Sequence, residues 1–401
     1  MGDKSEKGAK VGILPILFAA IVLGAATGSV APGCVMRILN SFSTTFGQFI
    51  KFFVPFIVIG LVTPAIAETG KGAGKMLLVT MGIAYVSTIF SGVFALGVAN
   101  ATLPNVITGS LGELSATRAF PAYFTLEIPP LMGITTALAI SFIFGLAMVA
   151  LDAPGLRRVF DETRSVVTLT IRKMFLPLLP PYILAVIADI TATGKLAVVG
   201  GGCIAIMITA FCVTTSVLVI QYSVAGAVTR RNPLKALFNM LPAYLTGWGC
   251  CSSAATLPVT LRQTLKNGVS QKVTDLVIPL CSNVHLAGSM ANMVVYTAGF
   301  IVLGGGAIGF GQYAEFIFML SVIAVASPGI PGGVVLSSAA IAESVLGFTP
   351  ERYALVIATY IALDGMGTAC NLTGDGAIAM VVDRFMRPGA TGRDFNSLKN
   401  R

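Results

Sequence analysis

A chain of 401 residues that is 55% hydrophobic and only 11% charged, with mean hydropathy +0.87, carries too many long apolar runs for a soluble core. Its formal charge of +9 does not indicate a nucleic-acid partner, because the 26 Lys and Arg are dispersed and no segment makes a basic, polar face. The seven cysteines (Cys34, Cys203, Cys212, Cys250, Cys251, Cys281, Cys370) lie mostly in apolar stretches without metal-type spacing, so reduced thiols are expected rather than a disulfide framework, and Cys250-Cys251 alone is a poor zinc site.

Residues 1–10, with Lys4, Lys7 and Lys10, read as a cytoplasmic tail. The apolar run over 11–30 has no convincing cleavage site and is taken as a retained first span. Further spans are predicted over 40–67, 76–101, 131–151, 174–193 and 197–227. They divide this part of the chain into 11–75 (spans one and two), 76–130 (span three and a loop), 131–193 (spans four and five) and 194–228 (span six). The stretch 101–130, which contains Pro, Gly and Thr, is expected at the surface or in a broken fourth segment. Pro177, Pro180 and Pro181 cannot all occupy a regular helix interior, so they are placed at the start of span five.

After Arg230, Arg231 and Lys235 the pattern changes. Over 229–268 an apolar arm to about Tyr244 meets Gly247-Trp-Gly-Cys-Cys-Ser-Ser253, and a second arm runs from Ala254 to Arg262. Over 303–347 the form recurs, with an arm from about Tyr313 to Ala326, a Ser327-Pro-Gly-Ile-Pro-Gly-Gly333 break, and an arm to about Leu346. Arms of roughly 10–15 residues make about 15–22 Å of helix against a hydrocarbon core of about 30 Å, so neither can cross alone. Each hairpin precedes a long span with a polar break at its centre. The first is 269–302, containing Asn283, His285, Gly288 and Ser289; the second is 348–386, followed by a cytoplasmic tail at 387–401. Gly/Pro-interrupted segments in corresponding positions of two halves point to a transporter binding site.

With both termini cytoplasmic, eight full spans and two re-entrant hairpins, every Lys and Arg except Arg37, Lys51, Arg118, Lys195 and Arg352 falls on a cytoplasmic segment. The first hairpin then dips from the cytoplasm and the second from outside. The fold class expected is therefore an all-α, multi-pass protein of the cell (inner) membrane. Within its last span, Asp364, Thr368, Asn371 and Asp375 fall at i, i+4, i+7 and i+11, which puts all four on one helical stripe. Ionisable groups at membrane depth are costly and usually line a substrate or ion path.

The last part of the chain resembles the dicarboxylate/amino acid:cation symporter family, which includes glutamate transporters and neutral amino acid (serine/threonine-type) members. Ser252-Ser-Ala-Ala-Thr-Leu-Pro258 is similar to the family's serine-rich first-hairpin tip, and Pro328-Gly-Ile-Pro-Gly332 to its second. Asp364-x3-Thr368-x2-Asn371-x3-Asp375 matches its last-helix motif at every spacing. Weaker likeness extends upstream through Val54-Pro55, Tyr85 to Thr88 and the Pro-rich start of span five. The resemblance implies a homotrimer in membrane lipid, with scaffold parts (11–75, 131–193) and mobile transport parts (76–130 and 194–228 with both hairpins and the last two spans) that move substrate elevator-fashion. It also implies that Asp364 holds a substrate ammonium. Asn371, Thr368, Ser289, Ser252, Ser253 and the tip residues Ser327, Gly329 and Gly332 would surround the rest of the substrate. Asp375, with Asn371, Cys281 and His285, would stand around Na+.

Departures from the family pattern narrow the substrate. Acidic-substrate members carry an arginine at the position of Gly367, and the first-hairpin arginine of some members is Cys251 here. A side-chain carboxylate would lack its bidentate partner. The expected substrate is a small neutral amino acid such as serine, threonine or alanine, imported with Na+. Where the family has Asn-Met-Asp-Gly-Thr this chain has His285-Leu-Ala-Gly-Ser289, so one cation site is expected to be lost. His285 is the only histidine, and histidine changes charge near neutral pH, so H+ can stand in for one coupled cation there.

Three alternatives remain open at this level. One is a proton- or sodium-coupled symporter of acidic amino acids or C4-dicarboxylates, which would need an arginine from elsewhere, Arg262 or Arg352. The others are a passive channel and an intramembrane enzyme built on Cys250 or Cys251, His285 and Asp375. No nucleophile motif supports the enzyme, so none is expected.

Overall fold

A computed structural model describes residues 13–69, 75–107, 120–151, 153–194, 196–326 and 332–386. The described residues are almost wholly helical, with no strand among them. In chain order the helices are α1 (Ile13–Val30), α2 (Gly33–Thr69), α3 (Lys75–Val106), α4 (Ile134–Ala150), α5 (Pro154–Thr170), α6 (Leu176–Ala192), α7 (Leu196–Thr229), α8 (Pro233–Asn239), α9 (Leu241–Cys250), α10 (Ser253–Lys266), α11 (Gln271–Val284), α12 (Ala287–Leu303), α13 (Phe310–Ala326), α14 (Gly333–Leu346) and α15 (Pro350–Met386). Among the described residues, six helical segments are long and apolar enough to cross a membrane: 33–64, 76–106, 154–192, 196–229, 271–303 and 350–386. Shorter apolar helices cover 15–30, 139–150, 310–325 and 333–346.

Burial sorts these helices. α12 and α15 are enclosed along nearly their whole length by other helices, although α15 carries Asp364, Thr368, Asn371 and Asp375. They pack against each other, with α3 and α7 beside α12 and α7, α9, α10 and α11 beside α15. α1, α4 and α5 instead expose Phe18, Leu23, Phe142, Ile143 and Val166, a surface suited to lipid. α1 runs along α6, and α2 lies against α4, α5 and α6, where Phe46, Phe49 and Phe53 stack around Phe175.

Both interrupted regions form packed helix pairs. α9 ends at Cys251 in the left-handed conformation (φ 49°), and Ser252 caps α10 by accepting the Ala255 N–H at 3.3 Å. α13 and α14 form the second pair, and its tip, 327–331, lies outside the described residues. α14 starts after Gly332, whose φ of 74° suits glycine.

Two expectations need correction. The prolines do open α6, with Pro177 in its first turn, but α6 is not a separate span starting near 174: α5 runs into it through a π-turn at Ile171–Phe175, where the Leu176 N–H reaches back five residues to the Ile171 carbonyl. The widened turn carries backbone carbonyls away from the first proline ring, so the chain need not break. A central break occurs only in the first of the two long spans, between α11 and α12 at His285-Leu286. α15 runs unbroken through Gly365, Gly367, Gly374 and Gly376. Neighbours approach closely where side chains are missing: a Cβ on Gly365 would lie 2.2 Å from the Trp248 carbonyl oxygen.

Candidate substrate and ion site

The unbroken α15 does what its spacing requires. Asp364, Thr368 and Asn371 share one face and line a cavity of about 270 Å³ between the α9–α10 turn and the start of α14, with Tyr360 one turn earlier. From α9–α10 come Cys251, Ser252, Ser253 and Leu257, from α11–α12 come Asn283, Leu286 and Ser289, and from α14 come Gly333 and Val334. Asp364 is the only charged side chain among these lining residues, and neither Arg262 nor Arg352 reaches the cavity. The N-terminus of α10 opens on this space, with its first amides positioned to favour an anion.

Each expected residue among the described ones has a defined place. Asp364 Oδ2 accepts the Gly332 N–H at 3.0 Å, leaving its second oxygen for a ligand. Ser252 lines the cavity while capping α10, and Ser253 lines it beside Ser252. Ser327 and Gly329 lie outside the described residues. Asn371 is committed to the start of α12: Oδ1 accepts from the N–H groups of Gly288 (2.7 Å) and Ser289 (3.3 Å), and Nδ2 donates to Ser289 Oγ at 3.0 Å. Gly367 does not line the cavity; a Cβ there would point at α12, 3.0 Å from Asn292 Nδ2 and 3.6 Å from Ser289 Oγ.

Asp375 leaves the cavity. It lies one turn beyond Asn371, fully buried, with Oδ1 2.9 Å from His285 Nδ1. His285 Nε2 lies 3.1 Å from both Ser87 Oγ and Gln221 Nε2, and Gln221 donates to Ser87 at 2.9 Å. The Cys281 carbonyl accepts the His285 N–H at 2.8 Å. Asp375 Oδ2 has no hydrogen-bond partner. A buried carboxylate oxygen in that state is strongly disfavoured unless a cation or proton meets it, so a hard, oxygen-seeking ion such as Na+ fits the chemistry here.

Ser87 and Gln221 were not anticipated. Gln221 is an isolated amide in a long apolar run, which is itself the signal that could have marked it. α3 is also stitched to the α11–α12 break: Thr88 Oγ1 accepts from Leu286 N at 3.2 Å, and Ser91 Oγ donates to the Ala287 carbonyl at 2.6 Å.

The chain is 28% identical over 168 residues to excitatory amino acid transporter 1 of Homo sapiens, covering 42% of this chain and 31% of that protein. It is 28% identical over 167 residues to neutral amino acid transporter B(0) of Mus musculus (40% and 30%) and over 148 residues to neutral amino acid transporter A of Homo sapiens (37% and 28%). The matched stretch is thus under a third of the length of each relative. The model of the sodium:dicarboxylate symporter family matches residues 13–385, nearly the whole sequence. The chain belongs to the sodium:dicarboxylate symporter family.

Proposed function

We propose that this protein is a secondary active transporter, not an enzyme, that imports a small neutral amino acid such as serine, threonine or alanine on a sodium gradient. The observation that carries this reading is the charge inventory of the cavity: one carboxylate, Asp364, and no lysine or arginine among the lining residues. An ammonium group matches Asp364, and the amino acid's own carboxylate matches the N-terminus of α10 with the Ser253 hydroxyl. A second, side-chain carboxylate would be buried without a partner. Sodium would sit at the orphaned Oδ2 of Asp375, and a proton on His285 would supply a further positive charge to the same carboxylate.

The same reading places eight spans and two re-entrant hairpins of opposite entry in the cell membrane, with both termini cytoplasmic and three copies forming a homotrimer. Spans one, two, four and five form its scaffold, and the hairpins, α11–α12 and α15 ride in the mobile part. The six long apolar segments and the short α1 and α4 accommodate that count, while α9–α10 and α13–α14 supply the hairpins.

A second reading, an acidic amino acid or dicarboxylate symporter, is favoured by the family's description and by the name of the excitatory relative. Isotope uptake into sealed vesicles separates the two. Serine, threonine or alanine should accumulate only with an inward sodium gradient. Preferred accumulation of aspartate or a C4-dicarboxylate would overturn the neutral reading, and equilibration without concentration would indicate a channel.

A further inference from the structure

The C-terminal ends of α7 and α15 enclose a second cavity of about 190 Å³, lined by Thr229, Arg230, Arg231, Met380, Asp383 and Arg384. It shares no lining residue with the substrate cavity. Three arginines stand around it against one aspartate, an excess of positive charge that an anion of matching size would offset. Arg231 reaches the α10–α11 turn, its Nη1 donating to the Asn267 carbonyl and its Nη2 to the Gly268 carbonyl at 3.0 Å. Both acceptors are neutral, so these bonds fix the guanidinium without cancelling its charge. Asp383 Oδ1 accepts the Ser270 N–H at 3.2 Å, which ties α15 to the start of α11. Arg230 follows α7 in the left-handed conformation (φ 57°), a helix-ending position that ordinarily takes glycine or asparagine. An arginine there strains the backbone and adds nothing to the turn, which directs attention to its side chain. Exposed apolar side chains flank the arginines: Val224 near the end of α7, Leu234 and Phe238 on α8, and Phe385 next to Arg384. Cationic groups bordered by exposed hydrocarbon match an amphiphile better than a fully hydrated ion.

We propose that this cavity binds the phosphate headgroup of an anionic phospholipid, with Arg230, Arg231 and Arg384 around the phosphate and the acyl chains along the exposed apolar side chains of α7 and α8. Guanidinium forks fit phosphate oxygens bidentately, and basic pockets between the ends of membrane helices are suited to such headgroups. A zwitterionic lipid carries the same phosphate, but its own ammonium cancels the charge, so the arginine excess selects an anionic lipid. Arg231 and Asp383 already bridge α7, the α10–α11 turn and α15, and a bound headgroup adds a further link between α7 and α15. Lipid binding therefore stabilises the folded protein, as any ligand of the native state does.

The test is thermal shift and native mass spectrometry of the purified full-length protein in detergent, titrated with dioleoyl phosphatidylglycerol, dioleoyl phosphatidylcholine, glycerophosphoglycerol or inorganic phosphate. Phosphatidylglycerol should raise the melting temperature and stay bound in the mass spectrum, and the other three at the same concentration should do neither. Arg230→Asn removes one guanidinium yet suits the left-handed backbone, so in detergent alone it should melt no lower than the wild type. Its affinity for phosphatidylglycerol should fall by roughly five- to tenfold. Adding Arg384→Gln should abolish lipid retention. Equal retention of phosphatidylglycerol and phosphatidylcholine by the wild type overturns the inference. So does a phosphatidylglycerol affinity that Arg230→Asn leaves unchanged, or retention that survives the double variant. A response to glycerophosphoglycerol or inorganic phosphate as large as that to phosphatidylglycerol would make this a soluble-anion site and overturn the lipid assignment.

Discussion

The carboxylate of Asp364 accepts the backbone N–H of Gly332 at 3.0 Å, joining the middle of α15 to the start of α14 across 32 positions of sequence. Gly332 can present that N–H because its φ of 74° turns the chain into α14 there. The same carboxylate therefore holds the second helix pair and faces the cavity, so one charge serves both closure and ligand. Asp364→Asn keeps the shape and an acceptor for the Gly332 amide but removes the charge that an ammonium needs. Amino-acid affinity should fall by roughly 100-fold, in keeping with about 3 kcal/mol for a charged, buried hydrogen bond. Thermal shift against serine and alanine reads this directly; a variant that binds within threefold of the wild type would remove Asp364 from the ligand site.

Sodium should register at Asp375. A cation that binds the folded protein stabilises it by RT ln(1 + [L]/Kd), about 2.7 kcal/mol at 100 times Kd. The melting temperature of the wild type should therefore rise in sodium relative to equal choline. Asp375→Asn removes the orphaned anionic oxygen and should abolish that rise. A sodium response that survives the substitution would place the ion elsewhere.

The sequence made the stripe legible because α15 is a regular helix, and regular spacing converts directly into a shared face. The two interrupted hairpins were legible for a similar reason: glycine and proline runs mark where a helix cannot continue. The path of 154–192 was only partly legible because nothing in composition announces a π-turn, and three prolines read as a fresh helix start rather than as the continuation of α5. Ser87 and Gln221 come from α3 and α7, and only packing brings them to His285. Gly367 shows the limit most sharply. The sequence reveals that no side chain is there, but not that the position faces Asn292 on α12 rather than the cavity.

Gly367 yields its own prediction. Gly367→Arg would add a long cationic side chain three residues from Asp364, starting from the α12 side of α15; turned past Ser289 into the cavity, its guanidinium would give a side-chain carboxylate the bidentate partner it lacks. Its Cβ would press on Asn292 Nδ2, an overpacking cost of about 1–3 kcal/mol, which pairing with Asn292→Ala relieves. The double variant should favour aspartate over serine, reversing the wild-type order in a competition uptake assay. Retention of the wild-type order would show that charge at this position does not set substrate class.

Gly365 tests the seating of the first helix pair. A Cβ there would fall 2.2 Å from the Trp248 carbonyl oxygen, which is backbone and cannot rotate away. Gly365→Ala should push α9 off α15 and destabilise the protein by roughly 2 kcal/mol, seen as a lower melting temperature and slower uptake. An unchanged melting temperature would mean that α9 is not held where the close approach implies.

His285 bridges the carboxylate of Asp375 and the polar pair Ser87 and Gln221. With the ring neutral and its Nδ1–H directed at Asp375, Nε2 accepts from the Gln221 amide, and the network is consistent as it stands. With the ring charged, both nitrogens donate. Ser87 Oγ then accepts from Nε2, and Gln221 must turn its amide so that Oε1, which has no partner in the neutral arrangement, faces the ring. The network thus has an arrangement for each charge state, as a proton-carrying site requires. If a proton accompanies the substrate, uptake should quicken as external pH falls. His285→Gln keeps a donor for Asp375 but cannot carry the proton, so it should transport with a flat pH profile and keep its sodium dependence. An unchanged pH profile in that variant would reduce His285 to a neutral hydrogen-bonding strut and leave sodium as the only coupling ion.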